Sequence, residues 1–234
     1  MRIGLSQRVL LHKNRAYDSL DQGWYHYLDG HTLSVIPNTP NLLDFGAIAK
    51  ELDAFIITGG DDSTIRRVTE TKLASNMLSR RKPIIGVCHG AFLLTELLGG
   101  KLVSVEEHSG TEHVVNYFGD LKTVNSFHSW GIVDPPDTAN TLVTDLHGHC
   151  EAWIDNNIAG IVWHPERMQD PWIPEEIEQL FSLLNFILTD DSKTNLEEEK
   201  QILEEELKNM MILKKFFKHI WMKRTLIENS TQML

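Results

Sequence analysis

Short apolar runs alternate with helical patterns along the first part of the chain. The apolar runs predict strands at residues 2–5, Leu33–Ile36, Phe55–Ile57 and Ile84–Val87. Apolar positions at helical spacing predict helices over Asn41–Lys50, 64–81 and Ala91–Leu98. Strands that lack polar alternation, each followed by a helix, are typical of a parallel sheet covered on both faces.

The middle of the chain is richer in strands. Its apolar segments predict them at Leu102–Val105, Val114–Val115, Thr123–Val124, Gly131–Val133, Ala152–Ile154 and Ile158–Trp163. A last helix of the domain is predicted over Pro171–Leu188. We therefore expect an α/β fold with a mixed, mostly parallel sheet flanked by helices.

The composition changes near Thr189, which predicts a catalytic-type domain of residues 1–189 and a C-terminal helical extension of residues 190–234. Within the extension, residues 196–227 have acidic residues early and basic residues late, an order that complements a helix dipole. The apolar face of this helix comprises Leu203, Leu207, Met210, Leu213, Phe217 and Ile220. Such a face predicts a helix packed on its own domain, and a homodimer or partner contact through it is the alternative.

Charge and hydropathy disfavour two classes of partner. The 234 residues include 22 Lys+Arg against 33 Asp+Glu, a net charge of −11, whereas general affinity for nucleic acid needs a basic surface. The longest apolar runs are too short to cross a bilayer, and no signal peptide opens the chain. We therefore expect a cytoplasmic protein that acts on a small molecule, with no nucleic-acid or membrane partner.

A pattern typical of a nucleophile stands at Gly86-Val87-Cys88-His89-Gly90, between a predicted strand and a predicted helix. Small neighbours permit the sharp elbow that exposes a nucleophilic side chain. The start of the helix also places positive backbone potential beside the sulfur, which favours a thiolate. A lone intracellular cysteine is usually a small buried hydrophobe, so this pattern alone leaves both interpretations open.

The segment His164-Pro165-Glu166 favours the nucleophile. A thiol needs a base to take and return a proton, and the base needs a carboxylate to orient it. His164 and Glu166 follow a predicted strand at alternate positions, so both side chains can point to one side. The carboxyl ends of strands are where open α/β sheets place their sites. Cys88, His164 and Glu166 are therefore the predicted catalytic residues.

In this order and at these distances, the motifs resemble those of the class I glutamine amidotransferase superfamily, and within it the γ-glutamyl hydrolase-like branch. The resemblance covers about residues 2–188 and rests on Thr58-Gly59-Gly60-Asp61, Gly86-x-Cys88-x-Gly90 and His164-Pro165-Glu166. It implies a flavodoxin-like fold and cleavage of γ-glutamyl amides.

The same resemblance implies roles for single residues. Cys88 would be the nucleophile, His164 the general base and acid, and Glu166 the carboxylate that orients His164. The backbone amides of Gly60 and His89 would bind the oxyanion, a task suited to a strand end and to the first amide of a helix.

The segment Asn125–Gly131 falls where relatives hold the glutamyl group, which implies substrate contacts from His128, Ser129 and Trp130. Ser129 and Trp130 replace the usual residues of the family, and Phe92 stands where relatives commonly have glutamine. Free glutamine is therefore less strongly expected as the substrate. Without the glutamine side chain that relatives have at this position, a polar group of the substrate would lack its hydrogen-bond partner in a closed pocket.

Three arginines near the expected pocket mouth, Arg8, Arg66 and Arg67, are candidate phosphate contacts, because guanidinium groups bind phosphate bidentately. An exposed helix start is the alternative for Arg66 and Arg67. The opening segment Met1–Arg8 and the glutamyl segment Asn125–Gly131 also resemble the corresponding segments of family members that act in capsule phosphoramidate biosynthesis. This resemblance implies a γ-glutamyl group joined through nitrogen to the phosphate of a nucleotide.

No metal ion or organic cofactor is expected. Cys150 has His147, His149 and Glu151 as neighbours, but this spacing matches no zinc motif, and strand alternation would separate the side chains. We expect surface or loop positions for His108, His113, His147 and His149.

The hypothesis is thus a cysteine hydrolase that cleaves a γ-glutamyl amide through a γ-glutamyl thioester. Two alternatives stay open. One is a glutaminase subunit that delivers ammonia to a synthetase partner, and the other is a noncatalytic scaffold protein that uses the C-terminal helix.

Overall fold

A computed structural model describes residues 1–105 and 109–180 of the chain. The strands of this part are β1 (Arg2–Ser6), β2 (Arg8–His12), β3 (Arg15–Ser19), β4 (Thr32–Ile36), β5 (Ala54–Ile57), β6 (Ile84–Val87), β7 (Lys101–Ser104), β8 (Ser109–Tyr117), β9 (Asp120–Phe127), β10 (Trp130–Asp134), β11 (Asn140–Asp145), β12 (Cys150–Asp155) and β13 (Ile158–Ile161). The helices are α1 (Gly23–Tyr27), α2 (Phe45–Glu51), α3 (Thr64–Leu78) and α4 (His89–Leu97), and a 3₁₀ turn spans Pro165–Arg167.

One large sheet has the strand order β4-β1-β5-β6-β13-β12-β11-β8-β9. The strands from β4 to β13 pair in parallel, and pairing becomes antiparallel between β13 and β12. Strands β7 and β10 pair with each other beside β12, and β2 and β3 form a separate hairpin. The predicted fold class, a mixed sheet with a mostly parallel core and flanking helices, is confirmed.

The centre of the parallel part determines where the site lies. Strands β5, β6 and β13 are neighbours, with Ile57 opposite Gly86 and Val87 opposite Ile161. All three strands are buried along their length, and α3 and α4 pack against them. Because parallel neighbours end at the same edge, the segments that follow these strands emerge side by side.

Some elements differ from the prediction. Helix α2 begins at Phe45, not at Asn41, because the Asp44 carboxylate accepts a hydrogen bond from the Ala47 amide at 3.0 Å and caps the helix there. The β2–β3 hairpin lies before α1, in a part of the chain for which no element was predicted. Strand β11 was not predicted, because its apolar content is limited to Leu142 and Val143.

The last predicted helix begins at residue 175 instead of Pro171, and the structure describes it as far as residue 180. Pro174 directly precedes its first residue, and its carbonyl accepts a hydrogen bond from the amide of Glu178 at 3.1 Å. The predicted boundary after residue 189 and the predicted helix over residues 196–227 lie outside the described residues. Within the described part, no helix has the length and apolar character needed to span a membrane.

Candidate active site

Cys88 stands at the sharp turn between β6 and α4. Its backbone has φ 50° and ψ −105°, the kind of conformation that costs a non-glycine residue about 1–3 kcal/mol. Two glycines permit the turn: a Cβ on Gly86 would collide with Gly90, and a Cβ on Gly90 would collide with the carbonyl of Ile57. The turn has the strand–elbow–helix form that the sequence predicts, and Cys88 lines a cavity at this edge of the sheet.

His164 and Glu166 lie next to this thiol. Nδ1 of His164 donates to Oε1 of Glu166 over 2.7 Å, and both side chains are almost fully buried. Cys88 also contributes to the raised pKa of His164, and both residues line the same cavity. Because Nδ1 of His164 is bonded to the Glu166 carboxylate, Nε2 is the ring nitrogen that remains for a contact with the Cys88 sulfur. The contact forms through the 3₁₀ turn and not through strand alternation, since β13 already ends at Ile161.

Three neighbours hold the imidazole of His164 in one position. The side chain of Asn125 donates to the His164 carbonyl at 2.8 Å and accepts from its amide at 2.9 Å. The ring of Phe127 meets the imidazole edge-on at 5.5 Å between centroids. Gly59 lies so close that a Cβ there would overlap the imidazole. The sequence assigned Asn125 and Phe127 to the glutamyl segment, and their contact with His164 was missed.

These contacts also set the charge of the ring. Burial lowers the pKa of His164, but hydrogen bonds with Cys88 and Glu166 outweigh burial and raise it to about 9. The imidazole is therefore protonated at neutral pH and carries a positive charge at the cavity wall. Burial, together with the negative charge of Glu166, raises the pKa of Tyr27 to about 12, so this neighbouring phenol stays neutral.

Gly60 and His89, the predicted oxyanion donors, line the same cavity as Cys88. Gly60 has a φ of +111°, which residues with a side chain rarely adopt. His89 is the first residue of α4, where an amide has no acceptor within its own helix. Both amides thus belong to backbone types that bind anions.

A buried ionic chain connects the two segments that carry these amides. Nε of Arg66 donates to one oxygen of Glu70 over 2.7 Å, and the terminal nitrogens donate to the carbonyls of Thr58 and Asp61. The other oxygen of Glu70 is 2.9 Å from Nε2 of His89. Burial raises the pKa of Glu70, but the hydrogen bond with His89 and the positive charge of Arg66 bring it below its usual value.

The position of Arg66 corrects its predicted role. The guanidinium is fully buried and bonded to protein groups, so it does not lie on the cavity rim and does not reach a phosphate there. An Arg–Glu pair four residues apart is common on exposed helix faces. The spacing of Arg66 and Glu70 therefore gave no sign that this pair is buried.

The cavity beside the thiol has a volume of about 790 Å³, within the usual range for sites that hold a drug-sized molecule. Arg8 and Arg67 both line it. Arg67 is paired with Asp62 at 2.7 Å and with Glu96 at 2.8 Å. Nε of Arg8 is buried and has no hydrogen-bond partner within the described residues. Two further cations of the cavity wall, which sequence reasoning missed, are Lys101 and Arg167.

The three predicted residues of the glutamyl segment, His128, Ser129 and Trp130, also line the cavity. The ring of His128 is buried, and its Nδ1 donates to the carbonyl of Trp130 at 2.8 Å. Trp130 is 50% exposed at the rim. Phe92 lies 6.0 Å from the His128 ring between centroids, so this wall of the cavity offers an aromatic ring.

The remaining candidates are Cys150 and the four histidines for which surface or loop positions are predicted. Burial raises the pKa of the Cys150 thiol to about 12, which makes it a poor nucleophile. The loop between β11 and β12 holds two of the predicted loop histidines, His147 and His149. The surface position predicted for His113 is wrong, because its ring is largely buried, 3.5 Å from the carboxylate of Glu151. His108 lies outside the described residues.

Comparison with known proteins identifies the family. The family model for class-I glutamine amidotransferases matches residues 16–183. The chain belongs to this family, as the resemblance of its motifs implies.

The relatives that match this chain are named for different activities. γ-Glutamyl-CDP-amidate hydrolase of Campylobacter jejuni is 26% identical over 201 residues, which cover 79% of this chain and 99% of that protein. The glutamine-hydrolysing GMP synthase of Methanosphaera stadtmanae has a subunit that is 30% identical over 149 residues, covering 59% of this chain and 77% of that protein. Among solved structures, a glutamine amidotransferase of Thermotoga maritima superposes with a TM-score of 0.56 at 13% identity, covering 93% of this chain and 96% of that chain. The last likeness shows the fold alone.

Proposed function

We propose that this protein hydrolyses a γ-glutamyl amide bond, with Cys88 as the nucleophile, His164 as base and acid, and Glu166 as the carboxylate that orients His164. The observation that carries the proposal is the hydrogen bond of 2.7 Å between His164 and Glu166, on the wall of the same large cavity that Cys88 lines. The backbone strain at Cys88 supports it, because strain of this kind concentrates at functional sites.

The first step transfers the glutamyl group to sulfur. The Cys88 thiolate attacks the γ-carbonyl carbon and forms a tetrahedral intermediate, whose oxyanion accepts hydrogen bonds from the amides of Gly60 and His89. The His164 imidazolium gives its proton to the leaving nitrogen, and the C–N bond breaks. An amine leaves and a γ-glutamyl thioester remains. A donor of this type typically contributes about 10²–10³-fold to kcat.

The second step releases glutamate. Water attacks the thioester carbonyl while neutral His164 takes a proton from it, and the C–S bond then breaks. Cys88 leaves as a thiolate beside an imidazolium, which restores the starting state. Glu166 keeps its charge throughout and stabilises the imidazolium.

The substrate that we propose is γ-glutamyl-CDP-amidate, which would yield glutamate and cytidine diphosphoramidate. The Campylobacter jejuni relative with this activity in its name is matched over 99% of its length. The cavity has room for a leaving group larger than ammonia. Arg8 offers a buried Nε for a phosphate oxygen, and the half-exposed ring of Trp130 offers a face on which a base can stack.

Glutamate release from four substrates tests this proposal: γ-glutamyl-CDP-amidate, a γ-glutamyl peptide, a γ-glutamyl amine and glutamine. We expect the highest kcat/KM with the nucleotide. Cys88→Ala should abolish turnover of every substrate, whereas the matched thiol variant Cys150→Ala should keep it. Turnover near the wild-type level in Cys88→Ala would refute the mechanism. A preference for glutamine would refute the substrate and leave the mechanism standing.

A glutaminase subunit is the second candidate, because the matched GMP synthase relative is named as a subunit. Such a protein would use the same residues and pass ammonia to a synthetase. Its glutamine hydrolysis would stay low in the isolated chain and rise when the synthetase is added. High activity of the isolated chain on the nucleotide substrate excludes this candidate.

A further inference from the structure

Two histidines and a glutamate converge beside the cavity from three separate parts of the sheet. His113 lies on β8, His128 directly follows β9, and Glu151 lies on β12. The ligand atoms of these three side chains all lie within 4.8 Å of one another. The expectation of no metal rested on spacing along the chain, and these residues are too far apart in sequence to form a spacing motif.

His113 and Glu151 pair at a separation that also fits two ligands of one ion. Nε2 of His113 is 3.5 Å from Oε2 of Glu151. Hydrogen bonds of this type are about 2.7–3.2 Å long. Two ligands on a tetrahedral zinc ion, each bound at about 2.0–2.2 Å, lie about 3.4 Å apart. The pair therefore stands at the distance that two ligands of one ion adopt.

His128 carries the second hydrogen bond that metal-binding histidines usually make. Its Nδ1 is 2.8 Å from the carbonyl oxygen of Trp130. A carbonyl can only accept, so Nδ1 carries a proton, and in the neutral form of such a ring Nε2 carries the lone pair. A ring nitrogen that donates to a backbone carbonyl fixes the tautomer and orients the other nitrogen toward a metal.

Burial and charge agree with a bound cation. Glu151 is 1% exposed and His128 is 4% exposed. A buried carboxylate is costly unless a partner compensates its charge or it takes up a proton. Among the described residues, the ion pairs of Glu151 include no lysine and no arginine.

We propose that Nε2 of His113, Nε2 of His128 and the carboxylate of Glu151 bind a zinc ion. Two imidazoles and one carboxylate form a known zinc ligand set, and imidazole nitrogen favours zinc over magnesium. Three protein ligands leave a fourth position for water or for a group of a bound molecule. The ion would join β8, β12 and the glutamyl segment, and so stabilise one wall of the cavity.

Zinc binding to the full chain tests the proposal directly, without a measurement of turnover. Cys88→Ser is the background, because a thiolate beside an imidazole is itself a zinc ligand. After treatment with a chelator, this protein should take up one zinc ion per chain and no magnesium. At a zinc concentration of 100 times Kd, Tm should rise by about 5–10 °C.

Two variants with matched controls locate the ion. His113→Asn and Glu151→Gln in this background should each weaken zinc binding at least tenfold and abolish the rise in Tm. His147→Asn, which changes an exposed loop histidine, and Glu112→Gln, which changes an exposed carboxylate on β8, should leave both quantities unchanged.

A cobalt derivative gives an independent readout. Co²⁺ bound to nitrogen and oxygen ligands should show ligand-field bands without a thiolate charge-transfer band, and Glu151→Gln should remove them. Absence of stoichiometric zinc uptake by the Cys88→Ser protein overturns the proposal, even if both variants prove too unstable to study. Uptake that persists in folded Glu151→Gln also overturns it.

Discussion

Replacing Glu70 with glutamine should weaken the proposed oxyanion site without touching the thiol. The change removes the negative charge between Arg66 and His89, and both Arg66 and Glu70 are fully buried. Breaking a buried ion pair by removing one partner costs about 3–5 kcal/mol. Glutamine keeps an acceptor oxygen for Arg66, so we expect about 3 kcal/mol, which lowers Tm by about 6–12 °C. A typical total stability of about 5–15 kcal/mol leaves the variant folded at 25 °C.

The same replacement should lower kcat more than it raises KM. Arg66 holds the carbonyls of Thr58 and Asp61, and these residues flank Gly60. If the Gly60 amide shifts, it loses alignment with the oxyanion, and a misplacement of this kind costs about 10²-fold. A purely structural role would instead reduce the amount of folded enzyme. Titration of the Cys88 thiol with iodoacetamide gives kcat per folded site and separates the two effects.

Glu51→Gln is the matched control. Glu51 pairs with Arg2 at 3.2 Å, but the two side chains are 66% and 47% exposed, so the change should alter stability by less than about 1 kcal/mol. The reasoning is refuted if Glu70→Gln melts and turns over like Glu51→Gln. Loss of folded protein with an unchanged kcat per thiol would refute the positioning role alone.

Further predictions concern His164 and Arg8. Gly59→Ala should lower kcat at least tenfold, because the added methyl group overlaps the imidazole of His164; steady-state kinetics on folded protein measures this, and an unchanged kcat contradicts it. Asn125→Ala should also lower kcat by removing both hydrogen bonds to the His164 backbone, and a normal kcat would show that these bonds are dispensable. In Cys88→Ala the pKa of His164, followed by NMR, should fall from about 9, since the hydrogen bond with the thiol helps to raise it; an unchanged pKa contradicts the pairing. Stability should fall as pH rises from about 6.5 through about 9, because a raised pKa stabilises the folded state only while the ring is protonated, and a flat profile in this window would be contrary to it. Arg8→Gln should raise KM for the nucleotide substrate and not for glutamine, and an equal rise for both would argue against a phosphate contact.

The parallel half of the molecule was predictable because local pattern and global topology agree there. The segments that contain Gly60, Cys88 and His164 follow β5, β6 and β13, each of which was recognisable as a short apolar run. Once a parallel sheet is inferred, residues at the carboxyl ends of such strands are expected at one edge. Adjacency of the three strands then brings together residues that are far apart in sequence.

The antiparallel half was less predictable because register, not local pattern, decides which residues meet. His113 and Glu151 come together through the pairing of β8 with β11 and of β11 with β12, and β11 itself was missed. Bulges in the pairing of β11 with β12 shift the register by amounts that no short motif reveals. The buried position of Arg66 escaped prediction for a related reason, since its partner Glu70 is also bonded to His89, which belongs to another element.

The two halves meet at β12 and β13, and this junction decides how the zinc proposal must be judged. The carbonyl of Glu151 accepts a hydrogen bond from the amide of Val162 at 2.8 Å, two residues before His164. A change at Glu151 can therefore disturb His164 through the backbone, whether or not a metal is bound. Loss of turnover in Glu151→Gln is consequently no evidence for zinc. Metal content and the rise in Tm are the informative quantities, because a backbone disturbance would alter turnover without making stability depend on zinc.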